Sequence, residues 1–240
     1  MKYIDTLSLL LEEIKREKES IEKSAIKTAE SIKNGGIIHI LGFGHYNILS
    51  LEFFFRAGVF ACINPIWDFS TSYMDGILKG NFLERIEGYG RVLINNHKLS
   101  SEDILYVISY TGRDLIAIDS VLEAKKRGVY TIGLINKENS NIPSKHSSKK
   151  NLKDICDLVI FIPGPSDDLL LSLERDKKIK TSPVSTIISS IILHEIFYET
   201  ACILERMDII PPLFRCSIDS RENDINQKLI KIYKDKIKEF

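Results

Sequence analysis

The chain has 240 residues, of which 44% are apolar and 28% charged, enough to bury the core of one large α/β domain. Its 33 basic and 33 acidic side chains balance, so it lacks the positive excess that nucleic acid or an anionic membrane attracts. We therefore expect a small-molecule ligand, with no nucleic-acid partner and no membrane association. Four cysteines without a C-x-x-C pair favour reduced thiols in a cytoplasmic protein over a zinc or redox site.

The first 34 residues predict a long amphipathic helix. Apolar residues recur at alternating spacings of three and four from Ile4 to Ile32, and Asn34-Gly35-Gly36 supplies a C-terminal stop. The apolar stripe serves either to pack on the core or to meet a partner subunit. We expect neither a signal peptide nor a membrane span, because no apolar run combines the required length with freedom from polar breaks.

Five short apolar runs then alternate with helical segments. The predicted strands are 37–41, 59–66, 103–109, 129–135 and 157–162, and the helices are 50–58, 81–97, 115–128, 184–207 and 223–240. Long polar loops are predicted at 136–152 and 163–183. This alternation predicts an α/β fold with a doubly wound, mostly parallel five-stranded sheet flanked by helices. We expect a single domain with an N-terminal helix (1–34), an α/β core (35–210) and a C-terminal extension with a helix (211–240).

Ligands of such sheets bind beyond the carboxyl ends of the strands, where this chain has polar turns. Gly42-Phe43-Gly44 follows the first strand, and its glycines let backbone N–H groups approach an anion. The third glycine of a dinucleotide fingerprint and the Walker lysine are missing. A tight structural turn explains the two glycines equally well.

Two further turns carry hydroxyl groups. Ser109-Tyr110-Thr111-Gly112-Arg113 follows the third strand, and Ser182 to Thr186 opens the long late helix. Hydroxyls, a glycine and a cation at a helix start are groups that bind a phosphate monoester. Helix capping by Thr111 or Asp114 is the alternative. Similar turns after two central strands favour one shared pocket.

The order of these motifs resembles the sugar isomerase (SIS) domain family. The stretches that carry the resemblance are "LGFGHYNILSLEFFFRAGV", "NPI", "LERIEGYG", "ISYTGRD", "EAKKRG", "PSKHSSKKNL" and "SPVST". The match is closest to bacterial sugar isomerase domain proteins similar to phosphoheptose isomerases. It implies a sugar phosphate ligand, sites near subunit interfaces, assembly as a homodimer or homotetramer, and no cofactor. A metal ion stays an open question, since no metal-ligand spacing is present.

The turns and the resemblance together give a set of predicted substrate-binding residues. Phe43 and Tyr46 stand where the family has serines, so we expect a narrower pocket. The predicted substrate-binding residues are Gly42, Gly44, His45, Asn47, Ser109, Thr111, Gly112, Arg113, His146, Ser147, Ser185 and Thr186. His146, in a polar loop, is either solvated or in contact with substrate.

Aldose–ketose isomerisation needs a base and a proton shuttle. The resemblance makes Glu87 the first candidate base and adds Glu52 and His194. The alternatives are a helix-surface ion pair for each glutamate and a buried core position for His194. We predict a sugar phosphate isomerase that acts through an enediol intermediate. A non-catalytic sensor or protein-binding module, and a lyase or deaminase of amino-sugar phosphates, are the alternative functions.

Overall fold

A parallel sheet forms the centre of the protein. In the computed structural model, which describes residues 1–216 and 220–240, its strands are β1 (Ile38–Leu41), β2 (Ile63–Ile66), β3 (Ile104–Ile108), β4 (Tyr130–Asn136) and β5 (Leu158–Ile162). Their order is β2-β1-β3-β4-β5, with every neighbouring pair parallel. Short apolar strands of this kind suit a sheet that is covered on both faces. The predicted five-stranded parallel sheet is confirmed.

Helices cover both faces of this sheet. They are α1 (Lys2–Ile14), α2 (Lys18–Lys33), α3 (Asn47–Glu52), α4 (Ile77–Leu83), α5 (Tyr89–Asn95), α6 (Leu115–Lys126), α7 (Leu152–Ile155), α8 (Ser185–Arg206) and α9 (Ser220–Tyr233). One apolar cluster joins α1, α2, α3 and α8 to the face that carries Ile40 and Tyr106. A second cluster joins α5, α6 and α7 to the face of Leu105 and Val107. The result is a three-layer α/β arrangement.

Four predicted helices have different bounds in the structure. The last one, predicted at 223–240, is α9, which ends at Tyr233. A 3₁₀ turn at Lys15–Glu17 separates α1 from α2. The helix after β1 ends at Glu52, and Phe55 beyond it has a left-handed φ of 48°. The single helix predicted at 81–97 is divided into α4 and α5, since Gly88 has a φ of 97°, a conformation that a helix cannot contain. Glu87 therefore lies in the connection and not in a helix, contrary to our prediction.

The segment between β5 and α8 is more ordered than predicted. It contains an antiparallel hairpin of β6 (Leu169–Ser172) and β7 (Lys180–Pro183), where the sequence favoured a loop. Both strands have only four residues, and β7 is largely polar, so the sequence shows no clear alternation of apolar and polar residues there. The hairpin leads directly into α8 and so brings residues around Asp168 to the first turn of that helix.

Helix α8 has the length and composition of a membrane span, which the sequence analysis did not anticipate. Within the described residues it is the one helix that is long and apolar enough to cross a membrane. Core helices of water-soluble folds have such length and composition as well, and α8 buries Ile188, Ile192 and Ile196 among the residues packed on the sheet. Thr200 also donates a hydrogen bond to the carbonyl of Ala25 in α2 (3.4 Å). These contacts are those of a core helix.

Candidate functional site

The polar turns after β1 and β3 meet at one end of the sheet, and Asp168 links them to the third turn, at the start of α8. The turns after β1 and β3 and the start of the hairpin together line a cavity of about 260 Å³. We call it the acidic cavity, and its lining comprises Phe43, His45, Tyr46, Tyr73, Glu84, Tyr110, Thr111, Asp114, Ser166, Asp167 and Asp168. Its position beyond the carboxyl ends of β1 and β3 is the place where doubly wound sheets bind ligands.

In the first turn, protein atoms occupy the space that the glycines leave free. Gly44 has a φ of 55°, and a Cβ there would lie 2.7 Å from the Tyr73 hydroxyl and 2.8 Å from Glu84 Oε1. A Cβ on Gly42 would overlap the backbone carbonyl of Tyr46. The glycines thus allow Tyr73, Glu84 and Tyr46 to approach the turn closely.

Most of the other side chains of this turn are buried. Phe43 and Tyr46 lie in the clusters on opposite faces of the sheet. His45 is exposed, and partial desolvation lowers the pKa of its imidazole. Asn47 donates hydrogen bonds to the carbonyls of Gly44 (3.1 Å) and Thr71 (3.3 Å). Asn47 therefore ties the first turn to the segment around Thr71.

In the second turn, both hydroxyl groups contact a carboxylate of the same turn. Ser109 and Thr111 each donate a hydrogen bond to Asp114 Oδ2, the latter at 2.8 Å. The N–H of Gly112, whose φ is 67°, donates to the Ser109 hydroxyl at 3.0 Å. The N–H of Arg113 donates to the Thr111 hydroxyl at 3.2 Å. The turn has the form predicted for anion binding, but both of its hydroxyl groups already donate their hydrogen bonds to Asp114.

A carboxylate also caps the third turn. Asp168 accepts hydrogen bonds from the N–H of Val184 (3.0 Å), the N–H of Ser185 (2.7 Å) and the Ser185 hydroxyl (2.8 Å). A carboxylate at a helix N-terminus is stabilised by the free N–H groups and the helix dipole. Thr186 is half-buried beside this cap. A phosphate could contact Ser185 only by displacing Asp168.

A second, positively charged cavity adjoins the first. It has a volume of about 520 Å³, and we call it the cationic cavity. Glu84, Thr111 and Asp114 line both cavities. The rest of its lining comprises Asn81, Arg85, Arg113, Leu115, Pro143 and Lys145. The two cavities together form a crevice along the strand ends, which we call the strand-end crevice.

The three cations of this cavity come from separate parts of the chain. Arg85 follows α4, Arg113 precedes α6, and Lys145 lies in the loop after β4. In the described part of the chain, none of the three forms an ion pair with a carboxylate. These groups are therefore available to an anionic ligand. Sequence reasoning found Arg113 and missed Arg85 and Lys145, although both lie in stretches that carry the family resemblance.

Glu87 and His146 lie together outside the crevice. His146 is buried in the single chain and not solvated, with Nε2 3.2 Å from Asp119 Oδ1 and 3.5 Å from Glu87 Oε1. The Ser147 N–H (3.0 Å) and hydroxyl donate to the Glu87 carboxylate. These hydrogen bonds from Ser147 lower the pKa of the exposed Glu87. The cluster joins the loop after β4 to the connection between α4 and α5.

Glu52 and His194 form a separate pair. His194 Nε2 lies 3.5 Å from Glu52 Oε1, and Arg56 contacts the same carboxylate. The His194 ring packs 4.5 Å from the ring of Phe53. His194 is 49% exposed at its side chain, so it is not the buried core residue that was the alternative. It lines another cavity, of about 190 Å³, together with Phe53, Phe60 and Phe197.

A sequence model described as SIS domain matches residues 2–136, more than half of the chain. The chain belongs to the SIS domain family. A UPF0309 protein of Geobacillus sp. strain WCH70 is 36% identical over 225 residues, which cover 93% of this chain and 91% of the relative. A UPF0309 protein of Thermoanaerobacter pseudethanolicus is 32% identical over 243 residues, which cover 99% of this chain and 98% of the relative.

Solved structures share the architecture of this SIS domain. A phosphoheptose isomerase from Neisseria gonorrhoeae superposes with a TM-score of 0.51 and 15% identity, over 83% of this chain and 98% of that one. A phosphoheptose isomerase from Francisella tularensis gives a TM-score of 0.51 and 14% identity over the same shares. At such identities the likeness shows the fold alone, and it agrees with the predicted family resemblance.

Glu84 is a further residue of the SIS domain's crevice that sequence reasoning missed. It lines both cavities, and its Oε1 atom is buried with no hydrogen-bond partner among the described residues. Burial raises the pKa of its carboxyl to about 7. Its position in "LERIEGYG" was the available signal, but that stretch contains two glutamates and only the fold separates them. Among the described residues, no group of three or more His, Cys, Asp or Glu side chains is placed to hold a metal ion.

Proposed function

We propose that this SIS domain binds a sugar phosphate in the strand-end crevice and interconverts its aldose and ketose forms through an enediolate. The observation that carries the proposal is the set of unpaired cations, Arg85, Arg113 and Lys145, around the cationic cavity. A phosphate monoester carries close to two negative charges at pH 7, and guanidinium groups bind such an anion through paired hydrogen bonds. The phosphate would lie among these cations, and the sugar would extend toward the acidic cavity.

Family membership supports the same ligand class. Two solved proteins with this fold bear the name phosphoheptose isomerase, and the order of the turns in this chain matches the family motifs. The roles first predicted for Ser109, Thr111 and Ser185 become indirect in this proposal, because their hydroxyls already donate to Asp114 and Asp168. They hold the two carboxylates in place and shape the crevice.

Binding is tested with a panel of sugar phosphates and with inorganic phosphate, by thermal shift and calorimetry. We expect one or more sugar phosphates to raise Tm. Arg113→Gln should cost that ligand about 1.5–3 kcal/mol of binding free energy, which raises Kd roughly 10-fold to 150-fold. The matched control is Arg91→Gln, an exposed arginine of α5 outside both cavities. Absence of stabilisation by every sugar phosphate would contradict the proposal.

A binding protein without catalysis is the second candidate. The observation in its favour is that the residues first predicted as catalytic, Glu87, Glu52 and His194, do not line the strand-end crevice of a single chain. NMR of the bound sugar phosphate in deuterated water separates the two functions. Isomerisation through an enediolate introduces solvent deuterium at a substrate carbon, whereas binding alone leaves the carbons unlabelled.

We also propose that the chain assembles as a homodimer or homotetramer in the cytoplasm. Helices α3 and α8 expose apolar side chains, including Ile48 (60%), Leu51 and Ile187, near the Glu52–His194 pair. Contiguous exposed apolar surface on a protein is a common sign of subunit contact. Light scattering after gel filtration measures the assembly, and a monomer at micromolar concentration would contradict it.

A further inference from the structure

We infer that Glu84 is the base that transfers the proton in the proposed isomerisation. The inference rests on the proposed function, and it assigns to Glu84 the role that sequence reasoning gave to Glu87. It follows from the position of the Glu84 carboxylate in the crevice and from the atoms around it.

Glu84 lies where the two cavities meet. It contributes to the lining of both, so a ligand that spans the crevice passes its carboxylate. Asp114 shares that position, but its Oδ2 accepts hydrogen bonds from Ser109 and Thr111. Glu84 Oε1 is buried and has no hydrogen-bond partner among the described residues. A buried polar atom without a partner is costly, and a turn of the carboxylate toward a ligand in the crevice would supply the missing contact.

The neighbouring residues fix the direction of this carboxylate. Oε1 packs against Gly44, where a Cβ would lie 2.8 Å from it. The other oxygen, Oε2, is 3.4 Å from the Tyr73 hydroxyl, which donates to it. Gly44 thus admits the carboxylate to the edge of the first turn. Tyr73 holds one oxygen, and the other must turn toward the crevice to accept a proton.

The surroundings also suit a base that works near neutral pH. Burial raises the pKa of Glu84 to about 7, Asp114 contributes to the increase, and Arg85 and the Tyr73 hydrogen bond partly oppose it. Across the acidic cavity lie His45 and Asp168. A base with a pKa near the working pH combines a useful ionised fraction with sufficient basicity. Glu87 has the opposite property, because hydrogen bonds from Ser147 lower its pKa.

The proposed step conserves every atom and charge. The Glu84 carboxylate takes the proton from the carbon next to the substrate carbonyl. The C–H electron pair forms the carbon–carbon double bond of the enediolate, and the carbonyl π pair moves to oxygen. The protonated Glu84 exchanges this proton with water and then protonates the neighbouring carbon, while the second oxygen loses its hydroxyl proton to the first. The net result converts aldose to ketose without an oxidant, a reductant or a co-reactant.

The test compares Glu84→Gln with Glu87→Gln in the full chain, using the sugar phosphate that stabilises the wild type most. Calorimetry measures binding, and NMR in deuterated water measures exchange at the substrate carbons. We expect Glu84→Gln to bind within a few-fold of the wild type and to lose about 10³-fold in exchange rate. We expect Glu87→Gln to retain both. The wild-type rate should increase with pH and level off above a pH near 7.

Each outcome decides the inference. Full exchange by a folded Glu84→Gln variant, or loss of exchange only in Glu87→Gln, overturns the assignment and leaves the proposed isomerase intact. A wild-type protein that binds a sugar phosphate without exchange refutes the isomerase and the base together. If Glu84→Gln has a lowered Tm, Glu84→Asp provides the second test, because it keeps the charge and withdraws it from the crevice. That variant should retain partial exchange, and an exchange rate equal to that of Glu84→Gln would overturn the assignment.

Discussion

Asp114 offers a direct test of where the phosphate binds. Its carboxylate lines both cavities and accepts hydrogen bonds from Ser109 and Thr111. The substitution Asp114→Asn preserves the size of the side chain. It leaves a carbonyl oxygen that can accept the hydrogen bonds from both hydroxyl groups. It removes one negative charge from the cavity that we assign to the phosphate. We therefore expect Asp114→Asn to keep its Tm and to bind the sugar phosphate more tightly.

The size of the gain follows from the cavity. A sphere of the cationic cavity's volume, about 520 Å³, has a radius of roughly 5 Å, so we take a charge separation of about 6 Å. At an effective dielectric constant near 40, two unit charges at about 6 Å repel by ~1.4 kcal/mol. The phosphate's charge of about −2 doubles this repulsion, and physiological salt reduces it by about half. The expected gain of ~1.4 kcal/mol lowers Kd about tenfold.

Calorimetric titration of the wild type and Asp114→Asn at low and high salt measures this difference. The gain should be largest at low salt, since salt screens the repulsion that the substitution removes. Asp5→Asn is the matched control, because Asp5 is an exposed carboxylate of α1 that lines neither cavity. An unchanged or weaker affinity in a variant with unchanged Tm would refute the assignment of the phosphate to the cationic cavity.

Three further predictions concern stability. Asp168→Ala removes the cap on Ser185 (2.7 Å) and should cost about 2 kcal/mol, lowering Tm by about 4 °C; an unchanged Tm would contradict the capping role. Asp103→Ala leaves the N–H of Ile37 without its buried acceptor (2.8 Å) and should cost about 3 kcal/mol by urea denaturation, with Asp5→Asn again as the neutral control. Burial lowers the pKa of His97 to about 4, so below pH 6.5 the unfolded chain binds a proton that the folded chain does not. Stability should therefore fall from pH 6.5 to 4, by about 2 kcal/mol more in the wild type than in His97→Gln; equal slopes would refute this.

The helix bounds show where sequence reasoning was less successful. The segment 81–97 has helical periodicity throughout, yet Gly88 adopts a left-handed conformation and divides it. Glu84 and Glu87 are three residues apart and would share one face of a continuous helix. The helix instead ends at Leu83, and in the non-helical connection that follows, Glu84 lines the crevice and Glu87 contacts Ser147. Periodicity could not reveal this, because glycine permits the break without requiring it.

The sequence by itself determined the five-stranded parallel sheet, the SIS resemblance and the positions of the polar turns, because these depend on local composition and on the order of motifs. The tertiary structure alone decided which charges meet those turns. Glu84, Asp114 and Asp168 each lie where one turn was predicted to hold an anion, while Arg85 and Lys145 join Arg113 in the neighbouring cavity. Electrostatic interactions depend on distance in space, and residues far apart in the chain set those distances only when the fold brings them together.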